Sequence, residues 1–244
     1  MNHPKQILAI DIGGTGLKLA IIDLKGKLLS EHLRVPTPHP STPAALIKTL
    51  VPLAKALGEF DCISIGFPGV VRGTHVLTAP NLGTKLWAGY DLAGTLSRKL
   101  GGKPTRLVND ADMQGLAIAK GKGLEFVMTL GTGIGTALFH DGELMPHMEL
   151  AHMPAADGKD FDGYIGDKVL KKIGRKRWNK RVAKMLPYFF TLLHYDHLYL
   201  GGGNAHKLTI DLPPKSSTVS NIAGLKGGAA LWRKDHQATF KGRS

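Results

Sequence analysis

Four short stretches of the chain hold residue types that could do chemistry together. "DIGGTG", Asp11 to Gly16, lies between two apolar runs. Its glycines allow close backbone approach and leave consecutive N–H groups to point at an anion. Thr15 adds a hydroxyl, Lys18 a positive charge just beyond, and Asp11 a carboxylate suited to Mg²⁺ held through water. The spacing is neither G-x-x-x-x-G-K-[ST] nor strand–G-x-G-x-x-G–helix, which sets aside P-loop and Rossmann sites. "GTGIGT", Gly131 to Thr136, repeats the pattern. Either stretch alone also reads as a tight hairpin whose glycines supply φ > 0, and the second more readily so, because glycine-rich hairpins are common. Two of them, each on a buried strand, favour a shared phosphate site. "NDAD", Asn109 to Asp112, opens a helix. Asn and Asp are preferred N-caps, but phosphoryl transfer to an alcohol also needs a carboxylate to accept the hydroxyl proton. "ELAH" sets Glu149 and His152 at i and i+3, neighbours on a helical turn. Such a pair can grip a polyhydroxylated ligand by charge-assisted hydrogen bonds, or be surface decoration; metal ligation lacks companion ligands at suitable spacing.

The elements that must position these residues alternate along the chain. "QILAIDIGG" predicts a buried strand and turn, and "LKLAIIDLKGKLLSEHLRV" two more strands, so a three-strand meander opens the fold. "PAALIKTLVPLAKALG" predicts a helix capped by Ser41 or Thr42 and kinked or divided at Pro52. "FDCISIGFPGVV" is a strand into a Pro-Gly loop, and "LAGTLSRKLGG" a helix stopped by paired glycines. "TRLVNDADMQGLAIAKG" is strand, turn and helix, "FVMTLGTGIGTALFHDGEL" a hairpin, and "HLYLGGGNAHKL" a strand into a glycine turn. Apolar residues at 178, 182, 185, 186, 189 and 193 have helical spacing, with a kink expected at Pro187. The sum is an α/β architecture with helices covering largely buried sheets. "AIDIGGTG" and "MTLGTGIGT" echo each other, suggesting two lobes, 1–108 and 109–244, facing across a cleft, the last helix packing back on the first lobe.

A chain of 244 residues has ample material for a buried core. Its single cysteine, Cys62, excludes a disulfide framework and a multi-thiolate zinc site. No apolar run approaches a bilayer span, and "MNHPKQILAIDIGG" shows no signal-peptide cleavage site, so a cytoplasmic protein with no membrane partner is expected. The net charge of +13 favours polyanionic partners. It is concentrated: Lys168, Lys171, Lys172, Arg175, Lys176, Arg177, Lys180, Arg181 and Lys184 fall within a stretch free of acids. That is a polyanion track or a solvated helix face.

Taken together and in order, "DIGGTG", "IGFPGVV", "NDAD", "TLGTGIGTAL", "ELAH" and "LGGGN" resemble the ROK family of sugar kinases, from Ile7 to about Trp232. "TLGTGIGTALFHDGELMPHMELAHM", and "KRWNKRVAKML" ahead of "LGGGN", resemble its polyphosphate-using branch. The resemblance implies an actin-like/RNase H-like fold of two α/β lobes closing on a hexose and a phosphoryl donor. It makes Asp110 the catalytic base toward the sugar 6-hydroxyl. Asn109, Pro68, Gly69, Glu149, His152 and Asp162 become sugar-binding residues. Asp11, Gly13, Gly14 and Thr15 form the first phosphate motif, which sets the Lys18 charge and the Asp11 carboxylate for Mg²⁺ beside the donor. Gly131, Thr132 and Gly133 form the second, and Gly201, Gly202 and Gly203 approach a nucleotide.

The implied reaction is phosphoryl transfer from inorganic polyphosphate, or ATP, to glucose, with Lys171, Lys172, Arg175, Lys176, Arg177 and Lys180 as the polyanion patch. An ATP-dependent hexose kinase and a weakened sugar-binding relative are the alternatives. Most family members carry a cysteine-rich zinc motif after Glu-x-x-His; here "MPAADGKDFDGYIGD" has no cysteine, so no structural zinc is expected and His152 is left for the sugar. Asp162 stands for a glutamate, one methylene short, and Ala151 for a glycine, adding a Cβ beside the sugar. Regulators of the family carry an N-terminal helix-turn-helix, for which a first strand at residue 7 leaves no room, so nucleic acid is not an expected partner. A homodimer is expected by analogy with relatives.

Overall fold

The computed structural model describes residues 5–219 and 223–233. The chain forms two compact units. The first contains β1 (Ile7–Ile12), β2 (Gly16–Ile22), β3 (Leu33–Pro36), α1 (Pro43–Ala56), β4 (Cys62–Phe67), β5 (Val71–Arg72), β6 (His75–Val76), α2 (Thr84–Trp87), α3 (Leu92–Lys99), β7 (Thr105–Asn109) and α4 (Asp110–Leu116). Its main sheet has the order β3-β2-β1-β4-β7. The opening meander β1-β2-β3 is antiparallel, as expected, and β4 and β7 join in parallel. Every residue of β1 and β4 is buried, as in a sheet covered on both faces.

The two-residue side-chain period of a strand sorts β1 between those faces. Leu8, Ile10 and Ile12 enter a core with Leu46 and Leu50 of α1 and Leu92 and Leu96 of α3. Ile7 and Ala9 face the other way, with Ala20, Ile22 and Cys62. Thr42 caps α1 through its hydroxyl to Ala45 N, and the helix runs unbroken past Pro52. Pro52 and Lys48 are both exposed, so the proline sits on the solvent side of the helix. The helix stop at the paired glycines holds: Gly101 and Gly102 have φ of 81° and 72°, and Gly102 N donates to Ser97 O at 2.8 Å.

The second unit begins at Ile118. It holds β8 (Leu124–Leu130), β9 (Ile134–His140), β10 (Glu143–Leu144), α5 (Phe161–Ile165), α6 (Asp167–Leu193), β11 (His197–Gly201) and β12 (Ser216–Thr218). The sheet order is β10-β9-β8-β11-β12, the first unit's order repeated strand for strand: three antiparallel, then two added in parallel. The echo between the two glycine turns is thus the visible part of a duplicated topology. This mixed α/β plan, repeated in both units, is that of the actin-like/RNase H-like fold. Trp178, Val182, Met185, Leu186 and Phe189 of α6 fill the core against Phe126, Met128 and Leu130 of β8, at the helical spacing read from the sequence. The break in α6 falls at Gly174 (φ 77°, ψ 160°) and not at Pro187. Pro187 and Ala183 both lie on the exposed face of the helix, where a proline removes no buried hydrogen-bond partner from the core.

The chain then returns to the first unit as α7 (Ala223–Ala230). Leu225 and Ala229 cover the face of Ile7, Ala9 and Cys62. Glycine makes this contact possible: a Cβ on Gly227 would lie 1.5 Å from Met113 O of α4. The compact division follows α4, at Ala117, rather than residue 108 where the sequence reading drew it. The reason is packing: α4 lies against β4 at Gly66 and against α7 at Gly227.

Candidate functional site

The residues singled out above fall into two groups, one in each unit. In the first unit, the "DIGGTG" turn joins β1 to β2. Asp11 stands opposite Lys18 in the antiparallel register, and Lys18 Nζ donates to Asp11 Oδ2 at 2.8 Å. Gly13, Gly14 and Gly16 all lack positive φ, so the hairpin reading does not account for them. They serve closeness instead. A Cβ on Gly13 would lie 3.0 Å from Gly16 O, and one on Gly14 3.2 Å from Asn81 Cβ. Gly13 N donates to Gly16 O, and Thr37 Oγ1 to Gly13 O at 2.6 Å, which locks the turn. Among the described residues, no acceptor pairs with the adjacent amides of Gly14 and Thr15. Two neighbouring N–H groups on a fixed turn make an anion nest.

At the end of β7, Asn109 is buried and caps α4, its Oδ1 accepting from Ala111 N at 2.7 Å and Asp112 N at 3.4 Å. Its Nδ2 donates to Gly69 O at 3.1 Å. One amide therefore ties the helix start to the Pro68–Gly69 loop. That loop is buried and tolerates no side chain at Gly69, where a Cβ would meet Thr78 O at 2.0 Å. Because Asn109 is the cap, Asp110 follows as the first helical residue, half-buried, with Oδ1 2.8 Å from Ala111 N.

In the second unit, the "GTGIGT" turn joins β8 to β9. Neither Gly131 nor Gly133 has positive φ. Gly131 N donates to Gly133 O at 2.9 Å, and the adjacent amides of Thr132 and Gly133 have no acceptor among the described residues. The nest of the first unit thus recurs at the equivalent turn. Gly133 makes room for Asp162: a Cβ there would sit 2.8 Å from Asp162 Oδ2, while Asp162 Oδ1 accepts from Ile134 N at 2.5 Å. The Asp162 carboxylate is engaged with the turn's backbone. Burial pushes its pKa up, against that hydrogen bond and the nearby His152. The "LGGGN" turn lies against the same strand end. Gly202, at φ 84°, touches the Leu130 backbone, and Asn204 N donates to Leu130 O at 2.8 Å. Asn204 Nδ2 donates to Asp167 Oδ1 at 3.1 Å.

Glu149 and His152 flank a short 3₁₀ turn, Leu150–His152. Glu149 Oε1 is 3.5 Å from His147 Nε2, and its Oε2 is 4.0 Å from His152 Nε2. Burial works against the Glu149 charge, yet the two histidines outweigh it and hold its pKa below the ordinary value. His152 Nδ1 lies 3.1 Å from Asp160 Oδ2. That bond, with the charges of Glu149 and Asp162, raises the imidazole pKa against the opposing effect of burial. His147 and Asp160 escaped the sequence reading; the one available signal was Asp160 three residues before Gly163, where it caps α5. Ala151, between Glu149 and His152, is buried in the unit's core.

The basic patch proves uneven. Lys171 pairs with Asp167 at 2.6 Å, and Arg175 Nε donates to Lys207 O at 2.7 Å. Lys172, Lys176, Arg177 and Lys180 are exposed. Arg175, Lys176 and Lys180 line an open groove of about 490 Å³ whose other wall includes Thr209 and Ile210. No helix among the described residues is long and apolar enough to cross a membrane.

The comparisons with known proteins agree with this layout. Polyphosphate glucokinase of Mycobacterium tuberculosis (strain CDC 1551 / Oshkosh) is 34% identical over 236 residues, covering 90% of this chain and 88% of that protein. The polyphosphate glucokinase of Mycobacterium leprae (strain TN) is 33% identical, covering 90% and 72%. The crystal structure of inorganic polyphosphate/ATP-glucomannokinase from Arthrobacter sp. strain KM superposes with a TM-score of 0.84 at 32% identity, over 96% of this chain and 100% of that one. A ROK family glucokinase from Streptomyces griseus, with glucose and AMPPNP, shares the fold at TM-score 0.76 and 19% identity, over 94% and 99%. With the ROK family model matching residues 7–164, most of the chain, this protein belongs to the ROK family.

Proposed function

We propose that this chain transfers a phosphoryl group from inorganic polyphosphate, with ATP as a second donor, to the 6-hydroxyl of glucose, giving glucose 6-phosphate. The observation that carries the reading is the pair of glycine turns. Each sits on the central hairpin of a duplicated sheet and offers two adjacent amides without an acceptor among the described residues. The likeness to polyphosphate glucokinases over nine-tenths of the chain supports the choice of donor and acceptor.

The remaining roles follow from chemistry. Asp110, half-buried at the start of α4, is the base that takes the hydroxyl proton. Asn109 fixes Asp110 and the Pro68–Gly69 loop in one frame, and positioning supplies much of the acceleration in phosphoryl transfer. Glu149 and His152 hold sugar hydroxyls as acceptor and donor. Asp162 supports the second glycine turn through Ile134 N rather than reaching a ligand. Gly13, Gly14, Thr15, Gly131, Thr132 and Gly133 cradle donor phosphates, with Gly201–Gly203 beside the second cradle.

Mg²⁺ is implied by the chemistry, and the residues fit it. Mg²⁺ keeps several waters and takes one or two carboxylates plus donor phosphates, and Asp11 supplies one such carboxylate, with Lys18 on its Oδ2. When bound there, the ion would neutralise donor charge. The groove of Arg175, Lys176 and Lys180 would lead the polyanion, since a basic surface raises its local concentration. The same reading expects a cytoplasmic homodimer.

The test is a coupled assay of glucose 6-phosphate formation with polyphosphate and ATP offered separately. Turnover with polyphosphate is expected; strong activity with ATP alone would make ATP the donor, and activity with neither would refute the kinase reading.

A further inference from the structure

We propose that Asp160 is a positioning residue for the sugar, which fixes the His152 imidazole so that its Nε2 faces the acceptor hydroxyls beside Glu149. The inference rests on the sugar-binding reading of Glu149 and His152. It begins with the division of labour between the two carboxylate oxygens of Asp160. Oδ1 accepts from Gly163 N at 2.7 Å, capping α5, and Oδ2 lies 3.1 Å from His152 Nδ1. The cap pins the carboxylate to a helix start, so its second oxygen is a fixed point from which the ring is held.

A carboxylate can only accept, so Nδ1 carries the proton of this bond. The other nitrogen, Nε2, is then turned toward Glu149 Oε2, 4.0 Å away, beyond a good direct hydrogen bond but suited to a hydroxyl placed between the two. The charged groups around the ring are Glu149, Asp160 and Asp162, with His147 on the far side of Glu149. Three carboxylates favour the imidazolium, whose Nε2–H donates to a sugar oxygen while Glu149 accepts from a sugar hydroxyl. Neutral Nε2 offers only an acceptor, as Glu149 already does. Asp160 thus sets both the direction of the ring and its role as a donor.

The experiment compares Asp160→Asn and Asp160→Ser, both of which retain a side-chain oxygen able to cap α5. Steady-state kinetics would give the KM for glucose and kcat separately, and NMR of the imidazole nitrogens of ¹⁵N-histidine-labelled protein would follow the titration of His152. Both variants should stay folded by thermal melt. Their KM for glucose should rise on the order of tenfold, the scale of coupling within one hydrogen-bond network, with kcat changed far less. The His152 titration should move to lower pH. In a His152→Gln background the same substitutions should add nothing to KM. Unchanged His152 resonances and titration in Asp160→Asn would overturn the proposal, as would an equal rise in KM with His152 already replaced. The NMR arm reads the ring without reference to turnover, so a failed kinase reading and a failed role for Asp160 give different results.

Discussion

Replacing Asn109 tests the frame that carries the proposed base. Asn109→Ala removes three hydrogen bonds: the cap to Ala111 N at 2.7 Å, the longer one to Asp112 N at 3.4 Å, and the tether to Gly69 O at 3.1 Å. Loss of an N-cap costs about 1 kcal/mol. The buried Gly69 carbonyl, left without its donor, adds about 1–3 kcal/mol. The sum, about 2–4 kcal/mol, corresponds in a chain of this size to a melting point lower by roughly 5–15 °C. Asn109→Asp separates the two contributions. Aspartate caps as well as asparagine, but it has no N–H for Gly69 and sets a carboxylate against a carbonyl oxygen. It keeps the cap, loses the tether and adds that repulsion, so its melting point should fall below the parent's. Differential scanning fluorimetry gives the melting points, and the coupled assay gives kcat and the KM for glucose. Both variants should lower kcat, because Asp110 and the Pro68–Gly69 loop no longer share one frame. An alanine variant that melts within a degree of the parent would refute the reasoning, since the amide would then hold neither helix nor loop.

Asp110→Asn should lower turnover by about 10²–10⁴-fold, the usual range for a general base, while calorimetric titration still detects glucose; undiminished kcat would mean the base is misassigned. Lys176→Gln with Lys180→Gln should raise the KM for long-chain polyphosphate and weaken its salt dependence, leaving the KM for glucose unaltered. An unchanged polyphosphate KM would reduce the groove to a solvated surface. The stability of the protein should carry the signature of His152: its raised folded pKa contributes stability that is full below the ordinary histidine value of 6.5 and is lost as pH rises through the folded value. Glu149 and Asp160, whose pKa values are lowered, contribute in the opposite sense, with stability lost as pH falls through their folded values. Denaturant midpoints against pH would show the alkaline limb disappear in His152→Gln; a persisting limb would assign it to another group.

The fold was legible wherever local pattern and burial agree. β1 shows this best: a short, continuous apolar run ending in Asp and Gly became the buried centre of a sheet. The six apolar positions from 178 to 193 likewise found the core face of α6. Misreadings arose where tertiary context outvoted a local rule. Pro187 looked like a kink because it removes an N–H, but it lies with Ala183 on the exposed side of the helix, and the helix continues. Gly174, a lone glycine among charged residues, gave no warning that it would adopt φ 77°. Within the site, the motif residues were readable because their types are unusual in sequence: paired glycines, adjacent Asn and Asp. Their partners were not. Asp160 and His147 are ordinary residues made relevant by a turn that brings them beside His152 and Glu149, and the inward turn of Asp162 depends on the space left by Gly133.

The late return of the chain as α7 bears on how this protein is made. During synthesis the first sheet emerges early, but Ile7, Ala9, Ala20, Ile22 and Cys62 have no lid until Leu225 and Ala229 leave the ribosome. Everything in the second unit is translated in the interval. The N-terminal half must therefore wait with a bare apolar face, a target for chaperones, and a nascent chain released a few dozen residues early would be aggregation-prone however well its middle had folded.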